Sequence, residues 1–428
     1  MKFSASQSSE SNIHPAANAS QISVATAPTK ALIVTVVIAI LLLAINMRAP
    51  IIGFGAVAKL VQQDLGLTTK TIGLIGTIPV MAFALSSFVA PMLSRRIGLE
   101  NTMILATSLL AIGIFVRVAH PQLGFLLAGT VLLSLAISLG NVLIPAVIKK
   151  YTPNHIGLVM GSYSMFLSVF AGFASGIAMW LVSLSNWQFA LGVWGWVSVA
   201  AVAAWLMVAH LRLRQKISTH DAQVINQAVA EAGQPSRKSV WKIPMAWWIS
   251  AFMGLQSLLY YTLASFLPSL LIDKGLSKAQ AGNVGMVFQL VAFPSILLLT
   301  KWVSSQWNLR TLALLAAVGN LVGVFGFGFL PLQGWVWVWS IASGFGCGVI
   351  FTLCMMIFTL KSKDSQQAAE LSGMAQTVGY SIAITGPIVT GWLKDLSHTW
   401  TLSMGFLTIL MAINCVFSWL ATQNKAIE

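Results

Sequence analysis

Residues 335–360 read WVWVWSIASGFGCGVIFTLCMMIFTL, with no charged side chain and with glycine and other small residues interleaved among the large apolar ones. A bilayer core about 30 Å thick takes about 20 apolar residues per helical crossing. The run is continuously apolar rather than alternating, so it specifies a spanning helix and not a barrel strand. Eleven further stretches of this kind occur. The spans fall at about 31–47 with an extension to 61, 72–93, 102–119, 123–148, 157–183 and 188–210, then at 243–272, 280–300, 310–330, 335–359, 370–393 and 400–420. Hydrophobic residues make up 57% of the 428-residue chain, charged residues 8%, and mean hydropathy is +0.83. This composition excludes a soluble domain and predicts an all-α polytopic membrane protein.

Basic residues set the orientation. With the N-terminus inside, cytoplasmic segments hold 17 of the 24 Lys and Arg, among them Arg95, Arg96, Lys149, Lys150, Arg212, Arg214, Lys361 and Lys363. Both termini are therefore expected in the cytoplasm, and the net charge of +14 reflects this bias rather than nucleic-acid binding. Residues 1–29 and 422–428 read as cytoplasmic tails, and 211–242 as a cytoplasmic linker with room for a short surface helix. The linker separates an N-terminal six-helix half (30–210) from a C-terminal one (243–421). The 34 glycines suit close helix packing. Gly344, Gly346 and Gly348, or Gly172 and Gly176, could form such faces or lend a substrate path flexibility, and packing is favoured. Cys347, Cys354 and Cys415 lie in apolar spans at spacings that suit neither a disulfide nor a metal site, and no cofactor is implied.

The halves echo each other. The chain reads MGSYS around Gly161 and SGMAQTVGYS around Gly373. Trp187 is followed by Gly192, and Trp400 by Gly405, an offset of 213 residues for both pairs. Duplicated six-helix halves related by an axis along the membrane normal are the build of major facilitator transporters. The predicted fold is accordingly twelve transmembrane helices in two pseudo-symmetric halves.

Longer motifs narrow the resemblance. The loop APMLSRRIG (Ala90 to Gly98) is similar to the basic loop that major facilitator proteins carry after the second span, with Ser94 where an acidic residue is usual. NMRAP (Asn46 to Pro50), GNVLIPAVIKKYTPNHIG (Gly140 to Gly157), LPSLLIDKGLSKAQAG (Leu267 to Gly282) and AAELSGMAQTVGYSIAITGP (Ala368 to Pro387) resemble the bacterial cyanate and 2-nitroimidazole transporters within that superfamily. Two departures stand out. Pro50 comes one place later than in the family's N-L-R-P, and Phe266 stands where Trp is frequent. The resemblance implies a carrier of the inner membrane, monomeric by default, that meets its solute near the bilayer midplane.

Arg48 interrupts an apolar run that continues on both sides. An arginine at a helix centre costs about 2.5–3.5 kcal/mol on insertion scales and cannot shed its proton. Facing a cavity it would bind a small anion from several directions. At the outer end of the first helix, about 26 Å from Ala31, it would snorkel instead. The family resemblance favours the cavity. Asn46 cannot share a face with Arg48 and could bridge to a neighbouring helix, yet it stays among the substrate candidates. Pro145 lies four residues after Asn141 and frees its carbonyl, equally for substrate or for a packed kink. Gln256, Tyr261, Gln289, Gln376, Tyr380 and Tyr163 supply uncharged donors and acceptors suited to a compact polar solute. Each alone is more often glue between helices, whereas several together make a site. Tyr260 could be core.

No Asp or Glu lies well inside a span, which leaves open whether a proton accompanies the solute as its neutral acid or transport is facilitative. Glu370 is at the cytoplasmic start of the eleventh span, where it favours the helix N-terminus. Arg95, Arg96 and Lys149, with Pro145 and Glu370, are candidates for contacts that differ between inward- and outward-open states; the basic loops could equally be topology signals alone. No P-loop, nucleophile elbow or HExxH motif appears, so the chain is read as a carrier and not an enzyme. The predicted function is secondary active or facilitative transport of a small anion or compact polar solute, cyanate- or nitroimidazole-like, by alternating access. A multidrug or metabolite exporter of the same superfamily is the alternative.

Overall fold

A computed structural model describes residues 28–230, 239–304 and 308–423. Most of both expected tails and the middle of the expected linker lie outside the described residues. The helices are α1 (Lys30–Asp64), α2 (Thr69–Ser86), α3 (Val89–Ile97), α4 (Leu99–Val118), α5 (Leu123–Tyr151), α6 (Ile156–Leu184) and α7 (Trp187–Ala230), then α8 (Pro244–Asp273), α9 (Lys278–Leu290), α10 (Ala292–Ser304), α11 (Leu309–Phe329), α12 (Val336–Leu360), α13 (Ser365–Ser397) and α14 (Thr401–Ala421). Ten spans are long and apolar enough to cross a membrane, with α9 and α10 sharing one of them. The bent pair α2–α3 makes an eleventh. The twelfth, α13, has 33 residues and so a length of about 50 Å, but its polar face lowers its apolarity.

Local chemistry starts and bends these helices. Ser277 and Gln280 form a reciprocal cap at the start of α9, and the Asp364 side chain accepts from the Gln367 N–H at 2.9 Å to open α13. Pro91 stands four residues after Ser87, and its ring cannot donate to the Ser87 carbonyl. There α2 and α3 meet at 56°. Pro294 stands in the same relation to Leu290, where α9 gives way to α10. The second span of each half is thus broken by the same device. In the region after Leu211, expected as a linker with room for a short helix, α7 continues to Ala230, because neither Gly nor Pro interrupts the chain before Gly233.

Each half repeats one arrangement. In the first, α1 packs on α6 and α7, and α4 on α5 and α7. In the second, α8 packs on α13 and α14, and α11 on α12 and α14. The paired tryptophans of the sequence repeat occupy matching corners: the Trp187 indole donates to Asp64 Oδ2 at 2.8 Å, and Trp400 to Asp273 Oδ2 at 2.9 Å. Between the halves, α13 lies against α2, α3 and α5, while α6 lies against α10 and α12. Side chains such as Val34, Leu85, Trp196 and Ile409 form an apolar outer surface of the kind lipid tails require.

The glycines divide by role. A Cβ at Gly344 would stand 2.3 Å from the Phe288 carbonyl oxygen, and one at Gly346 would be 2.5 Å from that of Ala316. At Gly348 it would lie 2.8 Å from Ala292 Cα, so all three are backbone contacts between helices. Gly172 and Gly176 have nothing within 4 Å and border open space, so packing does not account for that pair. Gly344→Val should therefore destabilise the bundle by about 1–3 kcal/mol through overpacking. Gly172→Val should be nearly neutral, and thermal unfolding of the two purified variants in detergent checks the contrast.

Candidate functional site

One end of the bundle carries Lys30, Val240 and Ala421; we call it the linker face. The other carries the ends of α1 and α8 at Asp64 and Asp273. A central cavity of about 600 Å³ lies between the halves. Its walls rise to exposed Gly76, Gly176 and Met286, so it opens away from the linker face.

Arg48 lines this cavity. The first helix runs 16 residues beyond it, about 24 Å, so the guanidinium sits mid-helix rather than at an end, and the snorkelling alternative falls away. It is half-buried, with its central carbon 5.5 Å from the Tyr260 ring centroid and 5.4 Å from that of Phe351. Among the described residues no carboxylate pairs with it, and the cavity wall holds no other charged side chain. Tyr260, for which the sequence left both a polar wall role and a core role open, is a wall residue, and Phe351 carried no sequence signal beyond being apolar.

Asn141, Gln256, Tyr261, Gln289 and Tyr380 also line the cavity. Gln256 donates to the Cys347 carbonyl at 3.3 Å, which ties α8 to α12. Gln289 is exposed on the wall. Tyr163 and Gln376 lie just behind the wall and close a buried network around Asn141. The Tyr163 hydroxyl donates to Asn141 Oδ1 at 2.6 Å. The Asn141 amide donates to Gln376 Oε1 at 3.0 Å and to the Tyr380 hydroxyl at 3.3 Å. Gln376 returns a bond to the Asn141 backbone carbonyl at 3.4 Å and another to Ser372 Oγ at 2.9 Å. That carbonyl is the one Pro145 releases, and its new donor comes from the other half. Asn46 is placed elsewhere. It is fully buried against α7; with the amide turned so that both its atoms are satisfied, its nitrogen donates to the Trp194 carbonyl (2.9 Å) and its oxygen accepts from the Ser198 N–H (3.2 Å).

Below this floor the halves touch at two more levels. Thr359 Oγ1 donates to the Pro145 carbonyl at 3.3 Å, and Arg95 pairs with Glu370 at 2.5 Å. Glu370 thus joins α13 to α3 in addition to sitting in a first helical turn. Gly373 lets α13 approach α3, since a Cβ there would stand 2.5 Å from Pro91 and 2.9 Å from the Ser87 carbonyl oxygen. Arg96 is exposed, and among the described residues neither it nor Lys149 makes an ion pair. The neighbouring Lys150 instead binds Glu100 at 2.5 Å. Glu100 is buried, and Tyr151 and Arg212 also bind it, so this cluster joins α4, α5 and α7 within one half. The sequence had marked Glu100 only as an end residue; its proximity to basic residues of two other helices is not visible in the chain order.

A second buried arginine was also missed. Arg117, 2% exposed, donates to the Pro50 carbonyl at 2.8 Å and stacks on Phe54 at 4.5 Å. Its signal was the same as that of Arg48, a lone cation in an apolar run.

Comparisons with known proteins identify the family and the fold. Residues 34–387 match the model of the Major Facilitator Superfamily. The 2-nitroimidazole transporter of Escherichia coli K12 is 30% identical over 92% of this chain and 97% of its own length. The cyanate transport protein CynX of the same organism is 27% identical over 86% of this chain and 92% of its own. Among solved structures, the proton:xylose symporter XylE superposes with a TM-score of 0.73 at 11% identity, covering 91% of this chain and 95% of that one. The E. coli fucose:proton symporter FucP gives 0.63 at 15% identity, covering 92% and 98%. The chain is a transporter of the Major Facilitator Superfamily and belongs with the 2-nitroimidazole and cyanate transporters within it.

Proposed function

We propose that this transporter carries a small anion or compact polar solute, cyanate- or nitroimidazole-like, across the bacterial cytoplasmic membrane by alternating access. The observation that carries the reading is Arg48, the one charged side chain on the cavity wall and without a carboxylate partner among the described residues. A guanidinium in a low-dielectric bundle attracts an anion and offers it several parallel N–H donors. Lipophilic cations would be repelled by the same group, which counts against a multidrug role. The wall holds no carboxylate, so a coupled proton would ride on the solute itself. In this reading the linker face is cytoplasmic, in keeping with its basic residues, and the structure corresponds to an outward-open carrier. The contacts Asn141–Gln376, Thr359–Pro145 and Arg95–Glu370 are the inner closure that must part before release inside.

Uptake of labelled cyanate and of labelled 2-nitroimidazole into proteoliposomes tests the site. Wild-type protein should show saturable uptake of at least one. Arg48→Gln, at matched insertion, should lower uptake of the anion at least tenfold; unchanged uptake would remove Arg48 from the site.

The inner closure has its own test. Gly373→Leu should hold α13 off α3 and shift the carrier toward the inward-open state, because the added side chain collides with Pro91 and the Ser87 carbonyl. In a cysteine-free background, labelling of Ser372→Cys from the cytoplasmic side should rise severalfold when Gly373→Leu is added. Unchanged labelling would mean that this contact does not contribute to closure.

A further inference from the structure

The chemistry of the cavity wall says more about the cargo than its charge does. Arg48 is set in an arc of aromatic rings contributed by α2, α8, α9, α12 and α13. Tyr260 stacks on Phe288 at 6.1 Å with 29° between planes, and meets Tyr261 edge-on at 5.4 Å. Tyr261 in turn meets Tyr380 edge-on at 6.4 Å, and Tyr380 lies 5.2 Å from Phe83 on the facing half. Phe351 adds a further ring, its centroid 5.4 Å from the central carbon of the guanidinium. All these rings line the same cavity.

Two features follow from that arrangement. Tyr260 and Phe351 both lie against the central carbon of the Arg48 guanidinium, a cation–π placement that leaves the N–H donors at its edge. Those donors meet no acceptor among the described residues, and their planar fork matches a carboxylate bidentately. The ring arc, for its part, is an apolar surface of faces and edges that a hydrated three-atom anion would leave wet. A flat conjugated ring would cover it, by stacking or edge-to-face contact. Gln289, exposed on the wall, remains to pair with polar atoms on such a ring.

We propose that the preferred cargo is a planar aromatic or heteroaromatic monocarboxylate, its carboxylate on the edge of Arg48 and its ring within the Tyr260–Phe288–Tyr261–Tyr380 arc. This rests on the cavity around Arg48 being the transport site.

Equilibrium binding of labelled benzoate to the full-length protein in lipid nanodiscs tests the proposal without interference from passive leak of benzoic acid. Saturable binding is expected. Cyclohexanecarboxylate, equal in charge and similar in size but lacking a π-system, should compete about tenfold more weakly, and benzamide, which keeps the ring but not the charge, at least tenfold more weakly. Phe351→Leu should bring benzoate and cyclohexanecarboxylate closer together. Equal competition by cyclohexanecarboxylate, or absence of benzoate binding, overturns the proposal. If cyanate is then still taken up into liposomes in an Arg48-dependent way, the broader reading of a compact-anion carrier stands without it. If benzoate does not bind and neither cyanate nor 2-nitroimidazole is moved, both fail.

Discussion

One buried amide, that of Asn141, carries the hydrogen-bond network that joins the two halves of this carrier beneath the cavity. An unpaired amide inside a bundle surrounded by hydrocarbon costs several kcal/mol, so Asn141 must find partners for its side chain and for the carbonyl that Pro145 strips of its donor. It finds one in Tyr163 of its own half and the rest in Gln376 and Tyr380 of the other. Separating the halves on that side removes donors and acceptors from both, and water or solute has to replace them. Asn141 also forms the cavity floor. Under the proposed role, the groups that seal the inner side are therefore among those a bound solute can address, which places cavity occupancy and closure in competition for the same few atoms.

The remaining charged and polar contacts sort by whether they lie within a half or between halves. Glu100 gathers Lys150, Tyr151 and Arg212 inside the first half, and Asp64 and Asp273 each hold a tryptophan of their own half. Close glycine contacts such as Gly344 on Phe288 and Gly346 on Ala316 are also internal to one half. Across the interface the polar ties among the described residues are few: the Asn141 network, the Thr359 hydroxyl and one exposed-to-buried ion pair, beside the close approach at Gly373 and the ring contacts of Arg48 and of Phe83 with Tyr380. An ion pair such as Arg95–Glu370, with Arg95 half open to solvent, contributes modestly and exchanges readily for hydration. Rigid halves joined by weak, replaceable contacts are what a rocking mechanism requires. The bends at Pro91 and Pro294 place the second span of each half, α2–α3 and α9–α10, at that interface.

Much of this was legible in the chain. Long uninterrupted apolar runs dictate helices because nothing else satisfies the backbone in lipid, and the Trp187/Trp400 offset marked corresponding corners of the repeat. The long α13 was found only approximately by hydropathy, since its Gln, Ser, Thr and Tyr residues trade lipid exposure for partners in the bundle. What stayed hidden was pairing. Asn46 and Asn141 are both asparagines in apolar spans, yet one is spent on the backbone of α7 and the other spans the interface. Only the packing of helices distant in sequence decides which. Lys149 and Lys150 are adjacent and equivalent as topology signals, but a helical rotation of about 100° brings just one of them to Glu100.

The two intramembrane arginines make the same point for the site itself. Arg48 and Arg117 each interrupt an apolar run, and no feature of those runs separates a binding group from a structural one. Their surroundings do. Arg117 is buried against Phe54, spends a guanidinium N–H on the Pro50 carbonyl, and sits where Gly129 lets the α5 backbone close over it. Arg48 has rings against its central carbon and no acceptor at its edge among the described residues. Both are costly in the bilayer interior, and the protein compensates Arg117 in part, through one carbonyl and one ring, while its Nε meets no acceptor among the described residues. Under the proposed role, what separates the two is access: Arg117 is 2% exposed and closed over by its own half, whereas Arg48 lines a cavity that a solute can enter.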